Sequence, residues 1–427
     1  MRRALSLFVV AAALVGIASC SSGSDGATSP TTARSGSSAA SPGSPRSTGT
    51  VPSADPAKAA QVREVVRRLK DEYHLQGVLV QVTVDGKEVV TDAVGESMAD
   101  VPVTPDMRFR NGAAAISYVA NLFLQLVDAK VVGYDDKVSK YLPDVPHADE
   151  VTLGQLATMT SGYRDYVFDS PEFQQAQQRD PFRTWTPQEL IAFAAPKPLW
   201  YPPGTGWNYA HTNYVILGLA LEKATGRPMV ELMRERVLGP FGMPDTVDPQ
   251  SPAIPEPALH AFTSERKSTL GIPDATPFTE EATYWNPSWT ITHGAIQVTT
   301  IDDMTRGAAA VGSGQGLTPE SYQLMVSTRQ RDIGGPVEGC GSCRHGDESY
   351  TYGVGIVIKG DWLLQNPMFA GESGVAAYLP SQKIAIGVAN TYAPDAFQAD
   401  GTPPPNRSVD LFRAIAEVMA PNDVPPK

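Results

Sequence analysis

Two residues of this chain that could do chemistry lie two positions apart, Tyr209 and His211, in the segment WNYAHTNY. The phenol of a tyrosine can bind a carbonyl oxygen or relay a proton, and an imidazole can act as a general base or a hydrogen-bond donor. His211 can equally be a tolerated polar side chain, because a base without a nucleophile has little to do. What the pair can do therefore depends on the group that faces it.

The segment FRNGAAAISYVANLFLQL (109–126) predicts a helix start followed by a long apolar helix. Such a helix start is a suitable position for a catalytic residue. It contains one serine, Ser117, and the residue three positions further on is Ala120, so no Ser-x-x-Lys pair forms. Ser117 is therefore a candidate nucleophile only if the catalytic position is relocated from the helix start to a later position in the helix.

Cys340 and Cys343 lie in the loop GCGSC, and we predict a disulfide between them, since local disulfides are common in exported proteins. A metal site would need two further ligands, and His345 alone does not supply them. A redox Cys-x-x-Cys motif would need a strand-to-helix context that this glycine-rich loop lacks. We therefore predict no metal site and no cofactor.

The N-terminus has the pattern of an export signal, with Arg2 and Arg3 before an apolar run over residues 4–17. The run is too short to favour a membrane span, which takes roughly 20 residues. The junction at Cys20 resembles a bacterial lipobox, in which the cysteine is lipidated; an ordinary signal peptide is the alternative. We expect a signal peptide over 1–19, a lipidated Cys20 with a flexible Ser/Gly/Pro linker over 20–56, and anchoring at the outer face of the cell membrane.

The net charge of −12 argues against nucleic acid as a partner, because phosphate binding requires basic surfaces. The roughly 370 residues after the linker suffice for a large core and two lobes.

Strand patterns occur at both ends of this region. VLVQVTV (78–84) and EVVTDAV (88–94) flank an Asp-Gly turn, which predicts a hairpin. The middle is mostly helix and loop. YGVGIVI (352–358), VAAYL (375–379) and IAIGVAN (384–390) then predict strands, followed by a helix capped by Ser408. We predict an α+β domain over 57–420, whose antiparallel sheet is formed by its N- and C-terminal parts, flanked by helices. Residues 57–125 and 350–420 would form one lobe, 126–300 an inserted, mainly helical lobe, and 421–427 a tail.

A series of segments together resembles one family. DGK, TPDMRFRNG, LQLVDAKVVGYDDKVSKYLPDVP, TLGQLATMTSGYRDY, YPPGTGWNYAHTNY, VLGPFGMPDT, HGAIQVTTIDDM and GESGVAAYLP follow in that order. The order and spacing resemble the serine β-lactamase and penicillin-binding protein superfamily, in the branch of class C β-lactamases, D-Ala-D-Ala carboxypeptidases and esterases. The resemblance implies a β-lactamase/transpeptidase-like fold.

The resemblance also implies three catalytic motifs, of which this chain keeps part of one. Where the family has Ser-x-x-Lys, this chain has Ala113 and Ile116, and neither side chain can attack a carbonyl or carry a proton. The second motif falls on Tyr209 and His211. The third, His-x-Gly or Lys-Thr-Gly, falls on Gln365, Asn366 and Pro367.

These losses favour a non-catalytic envelope lipoprotein that binds a cell-wall ligand or a protein partner through the inherited cleft. A peptidoglycan peptide is the ligand suggested by family analogy. The pocket residues would be the following: Ala113, Ile116, Ser117, Tyr209, His211 and Gln365. The alternatives are an active esterase, carboxypeptidase or β-lactamase-related hydrolase with a relocated nucleophile, and a vestigial cleft on a protein that binds its partner through another surface.

Overall fold

An antiparallel sheet built from both ends of the domain forms the centre of the computed structural model, which describes residues 55–427. The predictions for the signal peptide, for Cys20 and for nearly all of the linker lie outside these residues. The strands are β1 (Leu75–Val84), β2 (Lys87–Met98), β3 (Val101–Pro102), β4 (Phe109–Arg110), β5 (Phe262–Thr263), β6 (Glu280–Glu281), β7 (Val298–Thr299), β8 (Thr351–Tyr352), β9 (Val357–Lys359), β10 (Trp362–Gln365), β11 (Met368–Phe369), β12 (Glu372–Leu379) and β13 (Ile384–Tyr392).

The helices fall before, within and after these strands. They are α1 (Pro56–Glu72), α2 (Ala114–Asp128), α3 (Leu153–Ala157), α4 (Pro171–Arg179), α5 (Pro187–Ala194), α6 (His211–Thr225), α7 (Met229–Met233), α8 (Gly239–Phe241), α9 (Ile301–Gly312), α10 (Pro319–Met325) and α11 (Arg407–Met419). A π-helical turn (Arg234–Leu238) joins α7 to α8, and short 3₁₀ turns occur at Val138–Lys140, Pro287–Trp289, Arg329–Asp332 and Pro394–Ala396.

The strand order in the main sheet is β3-β2-β1-β13-β12-β10-β9-β8, with β11 also paired to β12. The predicted hairpin is β1–β2, and β1 pairs with the C-terminal strand β13, so that Val80 lies opposite Val388. The α+β fold with a sheet from both termini is thereby confirmed.

Helices cover both faces of this sheet. On β13, a Cβ at Gly387 would lie 2.2 Å from the Thr305 hydroxyl of α9, whereas Asn390 accepts a hydrogen bond from Ser408 of α11. Residues 387 and 390 point to opposite faces, since side chains alternate along a strand. On the face of the sheet that α9 covers, α9 also packs against α2, which is buried along most of its length.

Two local predictions at the C-terminal end are wrong in detail. The predicted strand 352–358 is interrupted between β8 and β9, because Gly355 adopts a left-handed conformation (φ +65°) and Gly353 donates its N–H to the Ile356 carbonyl. The cap of α11 is Asn406, whose side chain accepts from the Ser408 N–H, and Ser408 itself lies inside the helix.

Candidate functional site

The start of α2 presents mainly apolar side chains. Ala113 occupies the N-cap position and its methyl group, which makes no capping hydrogen bond, is partly buried. Ile116, one turn further on, is 1% exposed and belongs to the hydrophobic core. The two positions at which the resemblance implies a serine and a lysine therefore present only hydrocarbon.

Ser117 is not placed to replace the missing nucleophile. Its side chain is 5% exposed, and its hydroxyl donates to the carbonyl of Ala114 at 2.7 Å. This bond back to the preceding turn is common for serine within helices. Its hydroxyl is thus satisfied inside the helix.

The segment that contains Pro367, where the resemblance places the third motif, covers the start of α2. A Cβ at Gly112 would lie 2.6 Å from Cβ of Pro367 and 2.8 Å from Cε2 of Phe369, so both side chains are packed against the helix start. Pro367 directly precedes β11, and its carbonyl accepts the N–H of Gly374 in β12, which extends the pairing of the two strands.

Gln365 lies in the core beside α2. It is 2% exposed, and its amide donates to the Gly355 carbonyl at 2.8 Å. Gly355 in turn lies against Ala120 of α2. The side-chain amide of Gln365 is thus bonded to a backbone carbonyl, and Gln365 does not line the cavity described below.

His211 is oriented by Asp165, for which the sequence analysis predicts no role. Its ring Nδ1 lies 3.0 Å from Oδ2 of Asp165, whose side chain is fully buried, and its backbone N–H donates to Oδ1 of the same carboxylate at 3.0 Å. Because Asp165 accepts at Nδ1, Nε2 of His211 is left for a ligand. Ala210, at the N-cap of α6, has no side-chain acceptor, so Asp165 also serves as the cap.

Tyr209 lies beside His211, with the two rings edge to face and their centroids 5.1 Å apart. Burial raises the pKa of the Tyr209 phenol well above its ordinary value, and Tyr352, Tyr350 and Asp165 add to the effect. The phenol therefore remains protonated at neutral pH and can donate a hydrogen bond, but it cannot serve as a phenolate base.

The Cys340–Cys343 loop contacts this region. The structure has the disulfide between these residues, and the hydroxyl of Ser342 between them donates to the Tyr209 carbonyl at 3.3 Å. The loop thus lies against the segment that carries Tyr209 and His211.

A cavity of about 300 Å³ opens beyond Phe369. We call it the aromatic cleft, because five aromatic residues and His211 contribute to its wall. The aromatic residues are Phe168, Phe173, Trp285, Trp289 and Phe369. His211 is its single predicted pocket residue; the other five are absent from its lining. The cleft therefore lies beside the α2 start.

The wall of the aromatic cleft also carries charged side chains of both signs. Burial raises the pKa of the Glu372 carboxyl to about 7, although Arg110 opposes the shift. Burial likewise raises the pKa of Glu265. Arg110 is itself buried and donates to the Pro252 carbonyl.

Within residues 55–427, no three His, Cys, Asp or Glu side chains come together as a metal-ion site. In the same part of the chain, none of the helices is both long and apolar enough to cross a membrane.

The predicted site residues thus fall into three places. Tyr209 and His211 adjoin each other, Ala113, Ile116 and Ser117 lie on α2, and Gln365 is in the core. Sequence reasoning missed Asp165, the aromatic residues and Glu372. One signal in the sequence pointed to Asp165. The segment NYAH begins a helix with an alanine at the N-cap, so its first backbone N–H groups need an acceptor from another part of the chain.

Comparison with known proteins decides the family. The family description Beta-lactamase matches residues 62–402, which is most of the chain. The chain belongs to the beta-lactamase family. Penicillin-binding protein 4 of Amycolatopsis lactamdurans is 28% identical over 67% of this chain and 72% of its own length. An esterase of Burkholderia gladioli is 26% identical over 66% of this chain and 77% of its own length.

Solved structures give the same fold for this family member. A D-stereospecific amidohydrolase from Streptomyces sp. superposes with a TM-score of 0.68 at 23% identity, covering 85% of this chain and all but 1% of the other. A penicillin-binding protein from Bacillus halodurans superposes with a TM-score of 0.64 at 18% identity, covering 83% of this chain and 99% of its own. At these identities the similarity establishes the fold alone.

Proposed function

We propose that this protein is a non-catalytic member of the beta-lactamase family, which binds a ligand in the aromatic cleft. The observation that carries the proposal is the start of α2. It presents the methyl group of Ala113 in place of a nucleophile and is covered by Pro367 and Phe369. Covalent catalysis needs an activated nucleophile within reach of a base, and neither is present at that position.

The sequence supports the proposed location, and the name of one relative supports the proposed ligand. Lipidation of Cys20 would hold the domain at the outer face of the cell membrane, with the linker giving it reach into the cell wall. Peptidoglycan peptides are a candidate ligand, since a relative is named a penicillin-binding protein. An envelope protein is the other candidate.

A panel of p-nitrophenyl esters, amino acid p-nitroanilides and a chromogenic β-lactam tests the absence of catalysis. We expect the purified protein to show no turnover above the buffer rate. Turnover that co-purifies with the protein and disappears in His211→Ala would contradict the proposal.

One observation favours the second candidate function, an active hydrolase. The Asp165–His211 pair has the geometry of an oriented general base, with Nδ1 held by a buried carboxylate. Such a pair could activate water directly. If this hydrolase exists, Asp165→Asn and His211→Ala should lower its turnover together, whereas Ser117→Ala should leave it unchanged.

A further inference from the structure

One carboxylate in the wall of the aromatic cleft, that of Glu372, has no hydrogen-bond or ion-pair partner among residues 55–427. We propose that the cleft takes a small primary amine with an apolar or aromatic body, whose ammonium group binds Glu372 and whose body packs against Trp289 and Phe369. This assignment rests on the proposed function, because it names the ligand class of the same cleft.

Glu372 is fixed in position but its carboxylate is free. The residue begins β12 and lies opposite Phe369 in the hairpin with β11. Throughout residues 55–427, its oxygens accept no hydrogen bond from a side chain or from the backbone outside the sheet ladder, and no cationic group lies within 4 Å. A carboxylate can accept several hydrogen bonds, so the whole capacity of Glu372 is left for a ligand.

The aromatic rings provide the complementary surface. Trp289 and Phe369 meet edge to face with centroids 6.0 Å apart, and the Trp289 ring also lies 6.0 Å from His211. Phe168, which is 60% exposed, lies over His211 at the rim. Rings of this kind bury an apolar body, and their faces attract an ammonium group.

The other charges in the wall disfavour an anion. The guanidinium of Arg266 is already paired with Glu280 at 3.2 Å, and Arg110 is buried and bonded to Pro252. Glu265 adds a second carboxylate to the wall. Two carboxylates thus face a ligand, of which Glu372 is unpaired within residues 55–427, whereas both guanidinium groups already donate to acceptors of the protein.

The size of the cavity limits the ligand. At about 300 Å³ it is at the small end of ligand pockets, which suits a single aromatic amine or the amino end of a short peptide. The raised pKa of Glu372 fits the same view, because Arg110 offsets only part of the effect of burial and a cationic ligand would stabilise the carboxylate further.

Titration calorimetry with 2-phenylethylamine and its N-acetyl derivative tests the assignment, since acetylation removes the charge and keeps the ring. We expect the amine to bind at least about tenfold more tightly to the unmodified protein. Glu372→Gln should abolish this preference and leave the weak binding of the acetyl compound unchanged. Glu64→Gln, which changes an exposed carboxylate of α1 outside the cleft, is the matched control and should keep it.

The assignment fails if both compounds bind equally to the unmodified protein, or if Glu372→Gln retains the preference. Either result would leave the absence of turnover, and thus the proposed lack of catalysis, unaffected. Hydrolysis in the substrate panel would instead overturn the proposed function, and the calorimetric preference could still be observed.

Discussion

Glu372 is the residue whose protonation should affect the stability of the protein most visibly. Burial raises its pKa from 4.5 to about 7, so the folded state binds the proton more tightly than the unfolded chain does. The resulting stability is fully present below about pH 4.5 and is lost as the pH rises through 7.

Glu372→Gln should remove this pH dependence. We expect the free energy of unfolding of the unmodified protein, relative to the variant, to fall by about 3 kcal/mol between pH 4.5 and pH 8. Urea denaturation at both pH values measures it. Parallel pH profiles for the two proteins would show that Glu372 keeps its ordinary pKa in the fold.

Asp165 should matter more for stability than the histidine it orients. It accepts the backbone N–H groups of His211 and Val167 as well as the imidazole, and it is fully buried. We expect Asp165→Ala to lower the free energy of unfolding by about 3 kcal/mol, because buried donors lose their acceptor.

The matched variant is His211→Ala, which keeps the backbone bond to Asp165 and removes only the ring. It should lower the free energy of unfolding, measured by urea denaturation, by about half as much as Asp165→Ala does. Equal losses for the two variants would mean that the carboxylate acts through the imidazole alone.

At the level of elements, the packing between α2 and the β8–β9 connection depends on one glycine. A Cβ at Gly355 would lie 2.3 Å from Cβ of Ala120 and 2.6 Å from the hydroxyl of Tyr214, at a φ of +65°. Gly355→Ala should therefore lower the free energy of unfolding by about 3 kcal/mol or more.

Gly242→Ala is the control for this substitution. Gly242 has a similar φ of +70°, but no atom lies within 4 Å of the added Cβ, so we expect a cost of about 1 kcal/mol. Thermal unfolding of both variants separates the backbone cost from the packing cost. A similar shift in both would show that α2 tolerates the extra methyl group.

Features formed by residues that are close together in the chain could be predicted from the sequence. The β1–β2 hairpin was predictable because an Asp-Gly turn and alternating side chains lie next to each other in the chain. The apolar helix α2 was predictable from its composition, and Ala113 and Ile116 could be located on it. The resemblance, in turn, predicted the fold.

The aromatic cleft was not predictable in this way. Phe168, Trp289 and Phe369 come from three segments more than 70 residues apart, and nothing in their local sequence brings them together. Gln365 was assigned to the pocket by alignment, yet its amide turns to the Gly355 carbonyl in the core. Alignment gives the position of a backbone, whereas the direction of a side chain depends on its neighbours.

At the scale of the whole molecule, the proposed lipid anchor makes a separate prediction. In bacterial cells that process lipoproteins, the full chain should partition into the detergent phase of Triton X-114, whereas Cys20→Ala should move to the aqueous phase. A protein beginning at Asp55, where the described fold begins, serves as the aqueous reference. Detergent partitioning by Cys20→Ala would show that another part of the chain holds the membrane.

Labelling of the purified protein with a fluorescent penicillin tests whether the start of α2 can be acylated. A covalent acyl adduct requires a nucleophile at the start of α2, where this chain has Ala113, covered by Pro367 and Phe369. We predict no fluorescent band after denaturing electrophoresis, at a penicillin concentration that labels an active penicillin-binding protein run beside it. An acid-stable, fluorescent adduct on this protein would contradict the proposed lack of catalysis.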